Sequence, residues 1–293
     1  MFKNLTLYRI DAAWNADLQA VEQALQASTF TPCGATQAES AGWLSARGQA
    51  HGALVESIGG EWIARYHSEH KLLPAAVIEK RVQEKCDAIE REDGRTPGRK
   101  ERYDLKEEAR LDLLPQAFVK EASTLVWISK HQRLLAIDTA TQARADAIAS
   151  LLVECLPGFA PRLLNTAISP QAAMAQWLLT QEAPPSFSID QECELKACDA
   201  SQAVVRYGNH PLDIEEVRQH IQAGKLPTKL AMTWDGRVSF VLDAALRLRK
   251  IELLGIGEAT TGHEDGFEAD AVLATYDLTG VIADLIDALG GEA

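Results

Sequence analysis

The charged segment at residues 75–114 constrains the fold most strongly, because it combines two helical patterns with a short break. Apolar residues recur at helical spacing within Ala75–Glu92, namely Ile78, Val82, Cys86 and Ile89. The Gly/Pro loop at 94–98 ends this helix, and a second helix is predicted at Tyr103–Leu114, where Pro115 closes it. Two charged helices joined by a short loop are typical of a helical hairpin that projects from a body.

The remaining chain mixes strand and helix patterns. Strands are predicted at Phe2–Ile10, Glu61–His67, Leu125–Ile128, Leu134–Ile137, Lys229–Trp234, Arg237–Leu242 and Leu246–Ile251. Helices are predicted at 15–27, Gln142–Leu156, Ile214–Gln222 and Leu278–Leu289. The dipeptide Asp235-Gly236 lies between two of the strands and is the strongest hairpin signal in the chain.

These patterns predict an α+β fold with mainly antiparallel sheets and a projecting helical hairpin. Three regions are expected along the chain. Residues 1–74 and 115–160 form an N-terminal α+β region, residues 75–114 form the hairpin tip, and residues 161–293 form a C-terminal α+β region.

The charge is unevenly distributed. The chain has 42 acidic and 29 basic residues, net −13, which argues against a general affinity for polyanions. Ten of the acids lie in residues 251–293, which contain no Lys or Arg, so residues 1–250 carry a net charge of only −3. Residues 225–250 carry six cations against two acids. A locally positive surface is therefore compatible with the acidic total.

Such a surface can bind nucleic acid, because Lys and Arg displace condensed counterions from phosphates without reading the sequence. In the strand Leu246–Ile251, alternation predicts Arg247 and Arg249 on one face and Leu248 and Lys250 on the other. The loop at 94–100 adds three cations and no acid. The alternative is that these cations pair with acids, in particular those of the C-terminal block, on an ordinary solvated surface.

Cysteine usage and the termini indicate a cytoplasmic protein. The five cysteines are Cys33, Cys86, Cys155, Cys193 and Cys198. Their odd number and wide spacing favour free thiols in a reducing compartment. No signal-peptide pattern opens the chain, and no apolar run approaches the length of a membrane span.

Catalytic and metal-binding patterns are weak. His67-Ser68-Glu69-His70 places two imidazoles three residues apart, whereas a zinc-binding helix needs a spacing of four. Gly255-Ile256-Gly257 begins a nucleotide-binding pattern, but Thr260 occupies the place of the third glycine. His263-Glu264-Asp265 is expected to be a solvated loop. No catalytic residue, metal or cofactor is predicted, and a metal-dependent nuclease or hydrolase using His67, Glu69 and His70 remains an alternative.

Short landmarks along nearly the whole chain resemble the bacterial recombination-associated RdgC family. They are Phe2-Lys3-Asn4-Leu5, Phe30-Thr31-Pro32-Cys33-Gly34, Leu72-Leu73-Pro74, Leu113-Leu114-Pro115-Gln116-Ala117-Phe118, Thr228-Lys229-Leu230-Ala231 and Asp265-Gly266-Phe267-Glu268-Ala269-Asp270.

The resemblance implies a non-enzymatic, sequence-nonspecific DNA-binding protein for duplex and single-stranded DNA. Crescent subunits would form a ring-shaped homodimer around DNA, restrain RecA-driven recombination by competing for DNA, and associate with the nucleoid. A second alternative is a protein-interaction module that acts directly on a recombinase through the acidic C-terminal face.

The resemblance also assigns roles to individual residues. It implies that Phe118 contributes to the dimer interface at the projecting tips, that Arg95, Arg99 and Lys100 belong to a basic tip loop, and that Arg206 and Lys229 lie near the inner surface of the ring. Charge and strand pattern extend the predicted DNA-binding set to Lys3, Arg9, Lys225, Arg237, Arg247, Arg249 and Lys250.

Overall fold

The N-terminal half of the chain forms one antiparallel sheet of seven strands. The computed structural model describes residues 1–49, 51–255 and 264–293. The strands of this sheet are β1 (Thr6–Ile10), β2 (Glu39–Leu44), β3 (Val55–Ile58), β4 (Glu61–Leu72), β5 (Phe118–Ser129), β6 (Leu134–Ile137) and β7 (Pro161–Leu163). Their order is β2-β4-β5-β6-β1-β7, with β3 paired to β4. Two helices, α1 (Leu18–Gln26) and α4 (Gln142–Cys155), share a core with one face of the sheet.

A helical hairpin interrupts this sheet between its two longest strands. Helix α2 (Ala75–Asp93) ends at Gly94, whose left-handed backbone is typical of a helix terminus. Helix α3 (Arg99–Leu113) returns towards the sheet. The hairpin has its own small core, formed by Ile78, Val82, Cys86, Leu105 and Ala109. Because this core is separate from those of the two sheets, the hairpin has the character of an appendage.

The C-terminal half forms a second antiparallel sheet of five strands. They are β8 (Phe187–Ala197), β9 (Val204–Tyr207), β10 (Lys225–Trp234), β11 (Val238–Asp243) and β12 (Leu248–Leu253), in the order β12-β11-β10-β8-β9. The helices of this half are α5 (Pro170–Thr180), α6 (Glu215–Gln222) and α7 (Glu264–Ala288). The predicted hairpin at Asp235-Gly236 is confirmed, since both residues have positive φ angles and join β10 to β11.

A shared core connects the two sheets. It contains Leu7 and Trp127 of the first sheet together with Leu230 and Phe240 of the second and with apolar residues of α5, α6 and α7. The segment before β1 also bridges the sheets, because the backbone of Leu5 pairs with Leu248 of β12. One face of the five-stranded sheet is thereby buried, and we call the opposite face the outer face.

The α+β class with antiparallel sheets is confirmed, whereas several predicted boundaries were wrong. Strands β4 and β5 extend well beyond Glu61–His67 and Leu125–Ile128, because they continue together to the base of the hairpin. Helix α3 begins at Arg99 instead of Tyr103. Helix α7 begins at Glu264 and runs unbroken to Ala288, so Glu264 and Asp265 are helical and not a loop. The turn predicted at Gly255–Gly257 falls mostly outside the described residues.

Candidate nucleic-acid interface

A row of alternating charges crosses the outer face of the five-stranded sheet. The strand register places Arg206 of β9 opposite Glu194 of β8, Glu194 opposite Lys229 of β10, and Lys229 opposite Asp243 of β11. Directly opposed residues of an antiparallel pair share a face, so these four side chains lie side by side. On the same strands, Cys193, Leu195, Leu230 and Leu242 point into the core.

Glu194 is the central anion of this row. Its carboxylate accepts hydrogen bonds from Arg206 Nε at 2.7 Å, Thr228 Oγ1 at 2.8 Å and Lys229 Nζ at 3.0 Å. These donors, Arg206 first, lower the pKa of Glu194 to about 2. The carboxylate is therefore ionised throughout the physiological range and holds two cations in fixed positions.

Three further cations extend the row at the β11–β12 end. Arg247 Nε contacts the buried carboxylate of Asp243 at 2.7 Å, and Arg249 Nη1 lies 3.8 Å from it. Lys250 Nζ contacts Glu192 Oε1 at 2.8 Å. Lys229, Arg206, Arg249 and Lys250 line one shallow cavity of about 250 Å³. The cations of the row outnumber the carboxylates that they contact by five to three.

The prediction that Lys250 lies on the face opposite to Arg249 was wrong. Strand β12 carries a β-bulge between the pairs Val241–Arg249 and Ser239–Glu252, and Lys250 has a left-handed φ of 51°. The extra residue breaks the alternation, so both Arg249 and Lys250 line the same cavity. The alternative, that Arg247, Arg249 and Lys250 pair with the C-terminal acids, was also wrong. Their partners are Asp243 and Glu192.

Lys196 is an additional cation of the outer face that the sequence analysis missed. It lies on β8 two residues beyond Glu194 and opposite Val204 of β9, so it shares the face of Arg206. It forms no ion pair with any described residue. The signal was the alternation of Glu192, Glu194 and Lys196 with the buried residues between them, which marks a half-buried strand.

Three predicted DNA-binding residues lie outside the row, and a fourth, Lys3, borders β12. Arg237 forms an ion pair with Asp277 of α7 and lies over the ring of Tyr276, so it is on the side of the buried helices. Lys225 Nζ lies 3.0 Å from His220 Nδ1 of α6. Arg9 pairs with Glu292 near the C-terminus. Lys3 is exposed, and its carbonyl oxygen accepts from Ile251 N beside β12.

The predicted basic tip loop is partly helical. Arg95 follows Gly94 and forms a two-pronged ion pair with Glu101, at 2.7 and 2.8 Å, so its charge is compensated within the hairpin. Arg99 and Lys100 form the first turn of α3 and not a loop. Both are exposed and have no acidic partner among the described residues.

Phe118 is located where β5 leaves the hairpin. It lies opposite Leu72 in the last pair of the β4–β5 ladder, and 84% of its surface is exposed. Leu72 is also exposed. Large apolar side chains in such a position are unfavourable in water and are typical of an interaction surface.

The residues of the alternative nuclease site do not converge. His67 and His70 are three residues apart on β4, which puts their side chains on opposite faces of the strand. His67 is buried, with Nδ1 2.8 Å from Ser123 Oγ and the ring edge-on to Phe30. His70 lies 3.7 Å from Glu39. In the part of the chain that the structure describes, no group of three or more His, Cys, Asp or Glu side chains is arranged to hold a metal ion.

Within the same residues, each helix is either too short or too polar to cross a lipid bilayer.

Comparison with known proteins identifies relatives along the full length. The family model described as "RdgC: Putative exonuclease, RdgC" matches residues 1–292. The chain is 40% identical to the Recombination-associated protein RdgC of Dechloromonas aromatica, over 99% of this chain and 98% of that protein. The proteins of the same name from Cupriavidus pinatubonensis and Bordetella pertussis are 40% and 38% identical, with the same coverage.

Proposed function

Because this chain belongs to the RdgC family of recombination-associated proteins, we propose that it binds duplex and single-stranded DNA without sequence specificity and without catalysing a reaction. The observation that carries the proposal is the row of cations on the outer face of the five-stranded sheet. A rigid sheet presents these charges at fixed spacing, as binding to a regular line of phosphates requires.

The ion pairs of the row are compatible with DNA binding. The side chains of Arg206 and Lys250 are 74% and 65% exposed, and exposed ion pairs contribute only about 0–1 kcal/mol each. A phosphate can therefore share these cations at little cost. Lys196, which has no acidic partner among the described residues, adds to the positive potential. The acids Asp277 and Asp284 of α7 contact Arg237 and Trp234, on the buried side of the sheet and away from the proposed DNA.

We further propose that two crescent-shaped subunits close into a ring around DNA, with Phe118 at the contact between their hairpins. The exposed pair of Phe118 and Leu72 supports this assignment, because burial against a second copy would remove both from water. A closed ring slides along DNA but does not leave it sideways. Such a ring would occupy DNA that RecA needs, restrain strand exchange, and give the protein a cytoplasmic, nucleoid-associated location.

The test is a gel-shift titration of the full-length protein with duplex and single-stranded DNA of unrelated sequences at two salt concentrations. We expect similar affinities for all sequences and a steep loss of affinity as salt rises. Strong sequence preference or salt-independent binding would contradict the proposal. Strand-exchange inhibition that persists when DNA is saturating would instead favour direct action on the recombinase.

The description of the family model supports a second candidate, an exonuclease. The separation of His67 from His70 on opposite faces of β4 argues against the particular site predicted for it. Incubation of purified protein with end-labelled DNA and Mg²⁺, Mn²⁺ or Zn²⁺ tests the candidate. The non-catalytic proposal would be wrong if the labelled DNA is shortened with time and this nuclease activity copurifies with the protein.

A further inference from the structure

A second group of cations lies at the turn between β5 and β6, outside the outer face. This turn contains two cations, Lys130 and Arg133, within four residues. Its backbone is held in place by hydrogen bonds from Gln132 N to Ser129 Oγ and from Ile10 N to Arg133 O. Arg133 has a φ of 52°, a conformation that residues with side chains rarely adopt. The turn therefore presents its charges from a fixed backbone.

The turn borders a small cavity that contains cations and no acid. The cavity has a volume of about 260 Å³ and is lined by Ile10, Ala12, Trp14, Asn15, Lys130 and Arg133. Arg133 is exposed and has no carboxylate partner among the described residues. The cavity thus differs from the outer face, where the cations of the charged row contact carboxylates.

Both cations at this cavity have unused hydrogen-bonding capacity. The guanidinium of Arg133 forms no hydrogen bond with a described residue, so its N–H donors are available. Lys130 Nζ donates to Ala16 O at 2.7 Å and lies 5.0 Å from the ring of Trp62, which leaves further ammonium protons available.

We propose that this cavity binds a phosphate group. A tetrahedral anion would accept hydrogen bonds from Lys130 and Arg133, and charge-assisted bonds of this kind are the strong ones. The volume lies below the roughly 300 Å³ at which pockets for larger organic ligands begin, which favours a single small group. The phosphate could belong to a free anion or mononucleotide, or to the backbone of DNA. The site is additional to the outer face and does not depend on it.

Thermal unfolding of the full-length protein in phosphate and in chloride at equal ionic strength tests whether the site binds a free phosphate. Broadening of the ³¹P line provides a direct readout of binding. We expect phosphate to raise the midpoint of unfolding and Arg133→Gln to weaken phosphate binding about tenfold or more. Lys130→Gln should weaken binding as well, because it removes the other cation that lines the cavity. Lys80→Gln, an equal charge change on an exposed helix position, should have no effect.

Measurements of duplex DNA binding by the same variants test whether the site binds a phosphate of the DNA backbone. A lower affinity and a smaller salt dependence in Arg133→Gln, relative to Lys80→Gln, would identify a DNA phosphate as the ligand. If wild-type protein shows no response to phosphate and Arg133→Gln binds DNA normally, the proposed site is wrong even though the outer face still binds DNA. If wild-type protein binds phosphate but no DNA, the proposed function fails and this site remains.

Discussion

Lys225 and Lys229 lie four residues apart on β10, yet their side chains point to opposite faces of the five-stranded sheet. Lys225 is opposite Ala197 and contacts His220 of α6, whereas Lys229 is opposite Glu194 on the outer face. Regular alternation would place both on one face. Thr228 has no partner on β8 and forms a β-bulge. The extra residue shifts the alternation of side chains by one, so the two lysines face opposite sides of the sheet.

The two lysines provide a matched test of the proposed interface. We expect Lys229→Gln to weaken DNA binding on all sequences and to reduce the slope of log affinity against log salt by about 0.9 for the phosphate contact it loses. Lys225→Gln changes the same charge on the same strand and should leave the slope unaltered. Gel-shift titrations at several salt concentrations measure both slopes. Equal slopes for the two variants would mean that Lys229 does not contact a phosphate.

Phe118→Ala should weaken the proposed dimer. Truncation of a well-placed aromatic at an interface costs about 2 kcal/mol or more, which corresponds to a rise in the dissociation constant of about thirtyfold. Val153 of α4 is also an exposed apolar residue, so Val153→Ala serves as the control. Sedimentation velocity over a range of protein concentrations measures the effect. An unchanged dimer at low concentration would remove Phe118 from the interface.

The elements that could be predicted from the sequence are those with complete local signals. The helical hairpin has a 3.6-residue apolar stripe that ends at Gly94, and the β10–β11 hairpin has Asp235-Gly236 in its turn. Strand β8 also had a signal, since buried Cys193 and Leu195 alternate with polar neighbours, but it was overlooked. In each case the pattern depends on residues that are close in the chain.

The composition of the candidate site could be predicted only in part, because two β-bulges decide which cations share a face. The bulge at Thr228 separates Lys225 from Lys229, and the bulge beside Lys250 brings that residue next to Arg249. Bulges arise from the fit between strands that are distant in sequence, so a period-two pattern cannot reveal them. The position of Arg237 outside the row could not be predicted for a related reason, since its partner Asp277 lies on a helix far along the chain.

Arg237→Gln is expected to reduce stability and leave the salt dependence of DNA binding intact. The carboxylate of Asp277 is only 6% exposed and would lose its cationic partner, at a cost of about 1–3 kcal/mol. Urea denaturation measures the loss, and the additional substitution Asp277→Asn should recover part of it by removing the unpaired charge. A stable Arg237→Gln protein with a reduced salt slope would place Arg237 in the DNA interface after all.

Glu194→Gln should alter the pH dependence of stability. Hydrogen bonds from Arg206, Thr228 and Lys229 lower the pKa of Glu194 from 4.5 to about 2. Because the pKa is lower in the folded state, the stabilisation is complete above the unfolded value near 4.5 and is lost as the pH falls towards 2.

We therefore expect Glu194→Gln to lower the free energy of unfolding at neutral pH by about 1–2 kcal/mol, since solvent screens the exposed guanidinium of Arg206. The difference from wild type should shrink between pH 4.5 and 2, as wild-type Glu194 itself becomes protonated. Glu192→Gln, two residues away on the same strand, removes a carboxylate whose partner Lys250 is largely exposed, so it should change stability little. Urea denaturation across this pH range measures all three proteins. A difference between wild type and Glu194→Gln that is independent of pH would show that Glu194 stabilises the row through packing and not through its charge.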